Sequence, residues 1–158
     1  MTYEELKLQH DSVFIQEMDL SGVDGLKGFY CDGSVAIDRK MTTTEKACTL
    51  AEELGHHYTS FGNILDQNDP RNRKQERRAR LWGYKCMFDL SDLIQAYKYG
   101  CQNRYELADF LGVTESYLLE GIQAYKEKYG HCTKINRYII FFEPLGVMKL
   151  NDLKNEKS

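Results

Sequence analysis

Residues 50 to 57, Leu-Ala-Glu-Glu-Leu-Gly-His-His, combine carboxylates and imidazoles at a spacing that can hold a metal ion. On an α-helix, Glu52 and His56 lie one turn apart, and Glu53 lies about 60° from His56 around the axis. Ligands at i and i+4 can bind one ion, and the residue after the first ligand can act as a general base. The usual first ligand is His, but a glutamate oxygen, as in Glu52, also binds zinc. The alternative is a solvated helix face stabilised by Glu–His contacts one turn apart.

Glu76 is the candidate for a further metal ligand. It lies three residues before Ala79, at the N-terminal end of an apolar stripe that continues through Trp82 and Met87. A carboxylate in that position would be partly desolvated, so it needs a cation or a metal as its partner. The alternative is a salt bridge, for which the sequence offers these arginines: Arg73, Arg77, Arg78 and Arg80.

Two helices and a hairpin are predicted to position these residues. Apolar residues at helical spacing indicate a helix at about 44 to 60. A second helix is expected from about 71 to 88, after a loop over residues 62 to 70. Residues 29 to 31 and 34 to 38, joined by an Asp-Gly turn, predict a β-hairpin.

The rest of the chain is predicted to be mainly helical. An opening helix is expected over residues 3 to 18. The elements predicted after residue 90 are a helix capped by Ser91 and ended by Gly100, a helix at 104–111 between Asn103 and Gly112, a helix at 115–129 between Thr114 and Gly130, and a strand at 137–142.

Residues 106 to 120 have the pattern of a helix-turn-helix, with Gly112 at the turn and Thr114 as a cap. The second helix carries Glu115 and Glu120 and has no basic cluster at its N-terminal end, where contacts to DNA would be made. We therefore expect a packing or partner-binding module, and a DNA-binding regulator is the less favoured alternative. The concentrated basic run lies outside this segment, at Arg71, Arg73, Lys74, Arg77, Arg78 and Arg80. It is interpreted as a solvated helix face, and the alternative is a docking site for an acidic segment of a partner.

Composition argues against several classes of protein. The net charge is -3, with 42% apolar and 28% charged residues, which is ordinary for a soluble domain and gives no general attraction to nucleic acid or membranes. The sequence has neither a long apolar run nor the apolar core of a signal peptide. The five cysteines are odd in number and lack a Cys-x-x-Cys pair, so we expect free thiols in a cytoplasmic protein.

Two segments resemble the ImmA/IrrE family of metallopeptidases. They are residues 50 to 56, Leu-Ala-Glu-Glu-Leu-Gly-His, and residues 75 to 82, Gln-Glu-Arg-Arg-Ala-Arg-Leu-Trp. The hairpin ending in Ile37-Asp38 and residues 106 to 114 are also similar, so the resemblance covers roughly residues 25 to 145. It is strongest to the branch that prophages and integrative elements of Gram-positive bacteria encode.

The resemblance implies an α+β fold: a minimal gluzincin-like metallopeptidase domain with a small β-sheet and a helical, helix-turn-helix-like C-terminal half. It implies a zinc-dependent peptidase of a mobile genetic element that cleaves a partner helix-turn-helix transcriptional repressor. By position, Glu53 would be the catalytic base, and His56 and Glu76 would be zinc ligands. Glu52 occupies the position of the first ligand, and another divalent metal is the alternative to zinc.

The glutamate at position 52 departs from the family's His-Glu-x-x-His string and leaves several alternatives open. The site could use two carboxylates and one imidazole, or another residue such as Asp66 could complete it. His57 could contribute only in a shifted register, paired with Glu53. The protein could also be a pseudopeptidase, a non-catalytic antirepressor or adaptor that binds a regulator without cutting it.

We divide the chain into three parts on these grounds. Residues 1–90 would form the metallopeptidase-like core, with the hairpin, the Glu-Glu-x-x-His helix and the Glu76 helix. Residues 91–145 would form the helix-turn-helix-like subdomain with a final strand, and residues 146–158 a polar tail.

Overall fold

The structure, a computed structural model, describes residues 1–59 and 70–151. It has the mixed α+β composition that the sequence predicts. The helices in these ranges are α1 (Tyr3–Gln9), α2 (Thr43–Thr59), α3 (Pro70–Met87), α4 (Leu90–Tyr99), α5 (Arg104–Leu111) and α6 (Glu115–Tyr129). The strands are β1 (Phe14–Met18), β2 (Gly28–Cys31), β3 (Ser34–Asp38), β4 (Cys132–Ile135), β5 (Tyr138–Phe142) and β6 (Leu145–Lys149).

The first sheet contains the predicted hairpin. Strands β2 and β3 pair antiparallel, and β1 pairs parallel to β3 on its other side, giving the order β1-β3-β2. Asp32 and Gly33 turn the hairpin with φ of 45° and 80°, which is why an Asp-Gly pair suits this turn. Val35 and Ile37 of this central strand, β3, are buried in the main hydrophobic cluster.

The predicted opening helix over residues 3 to 18 is wrong beyond its first two turns. Thr2 and Glu5 form a capping box that begins α1, and α1 ends at Gln9 with His10 as its C-cap. Phe14 to Met18 then form β1, which gains its backbone hydrogen bonds from β3 rather than from its own segment. Most β1 side chains are exposed, so its sequence lacks the alternation that marks a half-buried strand.

Helices α2 and α3 pack closely and antiparallel. A Cβ on Gly55 would lie 2.1 Å from the carbonyl oxygen of Ala79, and a Cβ on Gly83 would lie 3.0 Å from that of Ala51. The glycines therefore let the two backbones approach more closely than side chains would allow. This approach brings the end of α2 that carries His56 beside the start of α3 that carries Glu76.

The predicted helices of the second half are confirmed, with one different cap. Asn103 and Thr114 cap α5 and α6 through their side chains, and Gly112 ends α5 with φ of 71°. Helix α4 is capped by Asp89 rather than by Ser91, because Asp89 forms a capping box with Asp92. The Ser91 hydroxyl instead donates to the Asp89 carboxylate.

The predicted final strand is the centre of a second sheet. β5 matches it within one residue, but β4 and β6 pair antiparallel on either side of β5, in the order β4-β5-β6. β6 occupies the beginning of the predicted polar tail at 146–158, so that tail starts too early. Residues 152–158, and the predicted loop before Pro70, lie outside the described residues.

One buried cluster joins residues from the first and second halves of the chain, including Leu50, Tyr84, Leu118 and Ile140. The division at residue 90 stays a prediction. All five cysteines lie in the described part and are free thiols, as predicted. In that same part no helix is long and apolar enough to cross a membrane.

Candidate functional site

The α2–α3 packing brings two of the predicted metal ligands together. The Nε2 atom of His56 lies 3.6 Å from Oε2 of Glu76. The other carboxylate oxygen of Glu76, Oε1, accepts a hydrogen bond of 3.2 Å from Nε of Arg80, one turn along α3. Both of the partners that the sequence suggested for Glu76, an imidazole that could share a metal and an arginine, are therefore in contact range.

The pair of His56 and Glu76 suits a zinc ion in part. Two ligands about 2.1 Å from a tetrahedral ion are separated by about 3.4 Å, close to the 3.6 Å between Nε2 and Oε2. Within residues 1–59 and 70–151, however, no group of three or more His, Cys, Asp or Glu side chains is arranged to hold a metal ion. The described residues thus fit two ligand positions, and the third ligand stays a prediction.

Glu53, the predicted base, lies on the side of α2 that faces β2. A Cβ on Gly28 would lie 3.4 Å from Oε1 of Glu53, so the glycine leaves room for the carboxylate next to the strand. Burial raises the pKa of Glu53 to about 7, with further contributions from the negative charges of Glu52 and Glu76. A carboxyl group in this state can hold or release a proton near neutral pH, as a general acid–base residue must.

Glu52, the candidate first ligand, also lines a polar cavity. The cavity lies between α2 and the N-terminal part of α6, where Glu120 and Tyr117 belong to its wall. Burial raises the pKa of Glu52, the charge of Glu120 raises it further, and the charge of Arg80 opposes the rise more strongly than Glu76 adds to it. The charge that acts most strongly on Glu52 is therefore in this cavity rather than at the His56–Glu76 pair.

The remaining imidazoles belong to an aromatic cluster at the end of α2. His57 Nδ1 lies 2.9 Å from the Tyr30 hydroxyl, and His10 Nδ1 lies 2.8 Å from the Tyr58 hydroxyl. Tyr58 stacks on Trp82 with ring centroids 5.0 Å apart. Although Tyr58 is spaced on α2 like the residues of the apolar stripe, its side chain is 43% exposed and does not belong to the core. The tyrosine partners could not be inferred from the sequence, because each lies far along the chain from its histidine.

The other predicted residues include the basic run on α3, of which Arg80 contacts Glu76. Asp66, the conceivable oxygen ligand, lies outside the described residues. The basic run on α3 is exposed, which agrees both with a solvated helix face and with a dock for an acidic partner segment. In the helix-turn-helix-like segment, Tyr117 and Leu118 on the first turns of α6 are buried, so this end of the helix packs inward.

A comparison with protein families finds a match over most of the chain. The model of the IrrE N-terminal-like domain, a peptidase family, matches residues 10–122. That range contains α2, α3 and the whole of the site described above, and it ends within α6. No curated protein and no solved structure matches the chain.

Proposed function

The chain belongs to the ImmA/IrrE peptidase family, since the family's model covers residues 10–122, and from this premise we propose a metal-dependent endopeptidase that cleaves a helix-turn-helix transcriptional repressor. The metal is zinc, and the setting is a mobile genetic element whose repressor is the substrate. The family match supports the peptidase class. The substrate, the metal and the cytoplasmic location are the finer part of the proposal.

The observation that carries the proposal is the approach of His56 and Glu76 beside a buried carboxyl group. Their 3.6 Å separation suits two ligands of one ion. Glu53, one helical turn before His57 and three residues before His56, has a pKa of about 7 because of burial and its acidic neighbours. His56 and Glu53 lie within one turn of α2, the spacing of a ligand and a base in a zinc peptidase, and Glu76 adds a second ligand from α3.

The mechanism assigns a separate task to each side chain. His56 and Glu76 would hold the metal ion, which when bound supplies polarisation of the scissile carbonyl and a more acidic water. The Glu53 carboxylate accepts the proton of the attacking water at a carboxylate oxygen and later delivers it to the leaving amine nitrogen. Arg80 keeps the Glu76 carboxylate oriented through its hydrogen bond to Oε1.

A second candidate function is a non-catalytic antirepressor that binds its regulator without cutting it. Two observations favour it: glutamate stands at position 52, and no three-residue metal group forms among the described residues. In this case, the same surface binds the regulator, and Glu53 has no catalytic task.

A cleavage assay separates the two functions. The purified chain is incubated with zinc and the helix-turn-helix protein encoded beside it, and the products are identified by intact-mass spectrometry. The peptidase proposal predicts a defined cut that Glu53→Gln abolishes, because the amide cannot accept the proton. Glu127→Gln, which removes one exposed carboxylate on α6, is the matched control and should leave the cut unchanged.

Intact partner after long incubation would contradict the peptidase proposal. If that partner also co-elutes with the chain from a sizing column, the antirepressor function is supported instead. A cut that persists in Glu53→Gln would show that another protease or another residue is responsible.

A further inference from the structure

The polar cavity that contains Glu52 has no task in the proposed chemistry. It has a volume of about 350 Å³ and lies between α2 and the N-terminal part of α6. The charges of Arg80 and Glu76 act on the Glu52 carboxyl group, so the cavity lies near the candidate site. A side chain of a polypeptide bound at that site could reach into it.

The wall of this cavity carries an excess of negative charge. It contains the carboxylates of Glu45, Glu52 and Glu120 and one cation, Lys27. The N-terminus of α6 adds about half a positive charge, which leaves the sum negative.

These carboxylates differ in what they already bind. Glu45 accepts a hydrogen bond from the backbone of Thr42, and Glu120 accepts one of 3.3 Å from the Tyr84 hydroxyl. Glu52 has neither a hydrogen bond nor an ion pair in the part of the chain that the structure describes. A partly buried carboxylate in this condition is costly unless a ligand pairs with it.

Tyr117 gives a second and independent sign of a ligand. Its side chain lines the same cavity and is 4% exposed, yet its hydroxyl has no hydrogen-bond partner among the described residues. Buried hydroxyl groups nearly always have a hydrogen-bond partner, so this one can still donate a hydrogen bond to a ligand or accept one from it. A ligand with N–H groups would satisfy both the Tyr117 oxygen and the Glu52 carboxylate.

We propose that this cavity is a subsite for a lysine or arginine side chain of the bound polypeptide, with Glu52 and Glu120 pairing with its positive charge. The proposal rests on the proposed function in one respect, namely that a polypeptide occupies the neighbouring site. An organic cation suits the cavity better than a metal ion, because the described residues form no three-ligand metal group. Glutamate at position 52 then acts in substrate recognition, which accounts for the departure from His.

The test compares two probes that differ in charge and hardly in shape. Nα-acetyl-arginine N-methylamide and Nα-acetyl-citrulline N-methylamide are titrated into the protein with a chelator present, and backbone amide shifts are followed by NMR. The arginine probe should shift the amides of residues 114–117 saturably, and the citrulline probe should bind much more weakly, because its urea carries no charge.

Substitutions then identify the carboxylates that bind the probe. Glu52→Gln should weaken the arginine probe about tenfold, since it removes a partly buried charged hydrogen-bond acceptor. Glu120→Gln should weaken it about threefold, because Glu120 is exposed and screened. Glu127→Gln, seven residues further along α6, removes the same charge outside the cavity and should have no effect.

Equal binding of the two probes would overturn the proposal, as would unchanged affinity in Glu52→Gln. Shifts of the same amides by magnesium or zinc but not by the arginine probe would also overturn it, in favour of a metal site. This readout needs no hydrolysis. An uncut repressor in the assay above would therefore contradict the peptidase proposal, whereas a failure to bind the arginine probe would contradict only the subsite proposal.

Discussion

At the residue scale, the candidate site is defined by carboxyl groups that folding places in a partly buried environment of low dielectric constant. Glu53 is the strongest case, because burial and two acidic neighbours raise its pKa from 4.5 to about 7. The sequence predicted the residue from its spacing to His56. It could not predict the burial, which depends on Gly28 of β2 lying against the side chain.

Glu53→Gln is expected to stabilise the metal-free protein in a pH-dependent way. Because the folded-state pKa lies above the unfolded value, the folded protein binds more protons between pH 4.5 and about 7, and stability falls as the pH rises through that window. The amide imitates the protonated carboxyl group, so the variant should be more stable by about 1 to 3 kcal/mol above pH 7 and unchanged below pH 4.5. Urea unfolding at the two pH extremes, with a chelator present, measures this.

The control for this prediction is Glu127→Gln. That side chain is exposed, so its free energy of unfolding should stay within about 0.5 kcal/mol of the unchanged chain at either pH. If Glu53→Gln gained nothing at high pH, the carboxylate would have to be solvated or paired, and its assignment as a base would lose its physical support.

At the element scale, helices were predictable where their signals are local. The Asn103 and Thr114 caps and the Gly100 and Gly112 ends lie within a few residues of the groups they satisfy. The strands β1, β4 and β6 were missed because each gains its hydrogen bonds from a neighbour that its own sequence does not reveal. Long-range pairing is thus the main source of error, and it also moved the start of the tail.

The cap of α4 gives a direct test of a locally ambiguous signal. Asp89 accepts a hydrogen bond of 2.9 Å from the backbone N–H of Asp92, whereas Ser91 lies inside the helix. Asp89→Ala should therefore lower the free energy of unfolding by about 1 kcal/mol, and Ser91→Ala by less than half as much. Chemical unfolding of the two variants distinguishes the caps, and the reverse order would restore the cap predicted from sequence.

The contact between α2 and α3 depends on Gly55. A methyl group there would lie 2.1 Å from the Ala79 carbonyl oxygen, which belongs to the backbone and cannot rotate away. Gly55→Ala should therefore separate the helices and cost roughly 1 to 3 kcal/mol or more, although alanine favours helices in general. Thermal unfolding measures the loss.

Gly22→Ala is the matched control for that contact. No atom lies within 4 Å of the Cβ that it would add, so its melting temperature should hardly change. A neutral result for Gly55→Ala would mean that the α2 and α3 backbones do not approach each other this closely. The approach of His56 to Glu76 would then be in doubt as well.

At the scale of the whole molecule, the candidate site lies where elements that are distant along the chain meet. Glu53, His56 and Glu76 could be predicted from the sequence because they lie in two short motifs. The packing of α2 on α3 brings His56 and Glu76 together. Tyr117 and Glu120 come from α6, far along the chain, and no motif connects them to Glu52. Their part in the site could be found only from the folded structure.

Metal binding links these observations to the stability of the whole protein. A ligand that binds only the folded state stabilises it by about 2.7 kcal/mol at a free concentration of 100 times its Kd. If His56 and Glu76 hold zinc, the melting temperature should rise with zinc concentration, and both His56→Gln and Glu76→Gln should remove the rise. His131→Gln, an exposed histidine away from the pair, is the control and should retain it.

Two further variants show what the neighbouring glutamates do in the same zinc titration. Glu53→Gln should keep the full rise in melting temperature, because a general base is not needed to hold the ion. Glu52→Gln should also keep it if the carboxylate serves the polar cavity, and should lose it if Glu52 completes the metal site. A zinc-independent melting temperature in the unchanged chain would contradict the metal site itself and favour the antirepressor function, in which His56 only lies beside Glu76 and Arg80 pairs with that carboxylate.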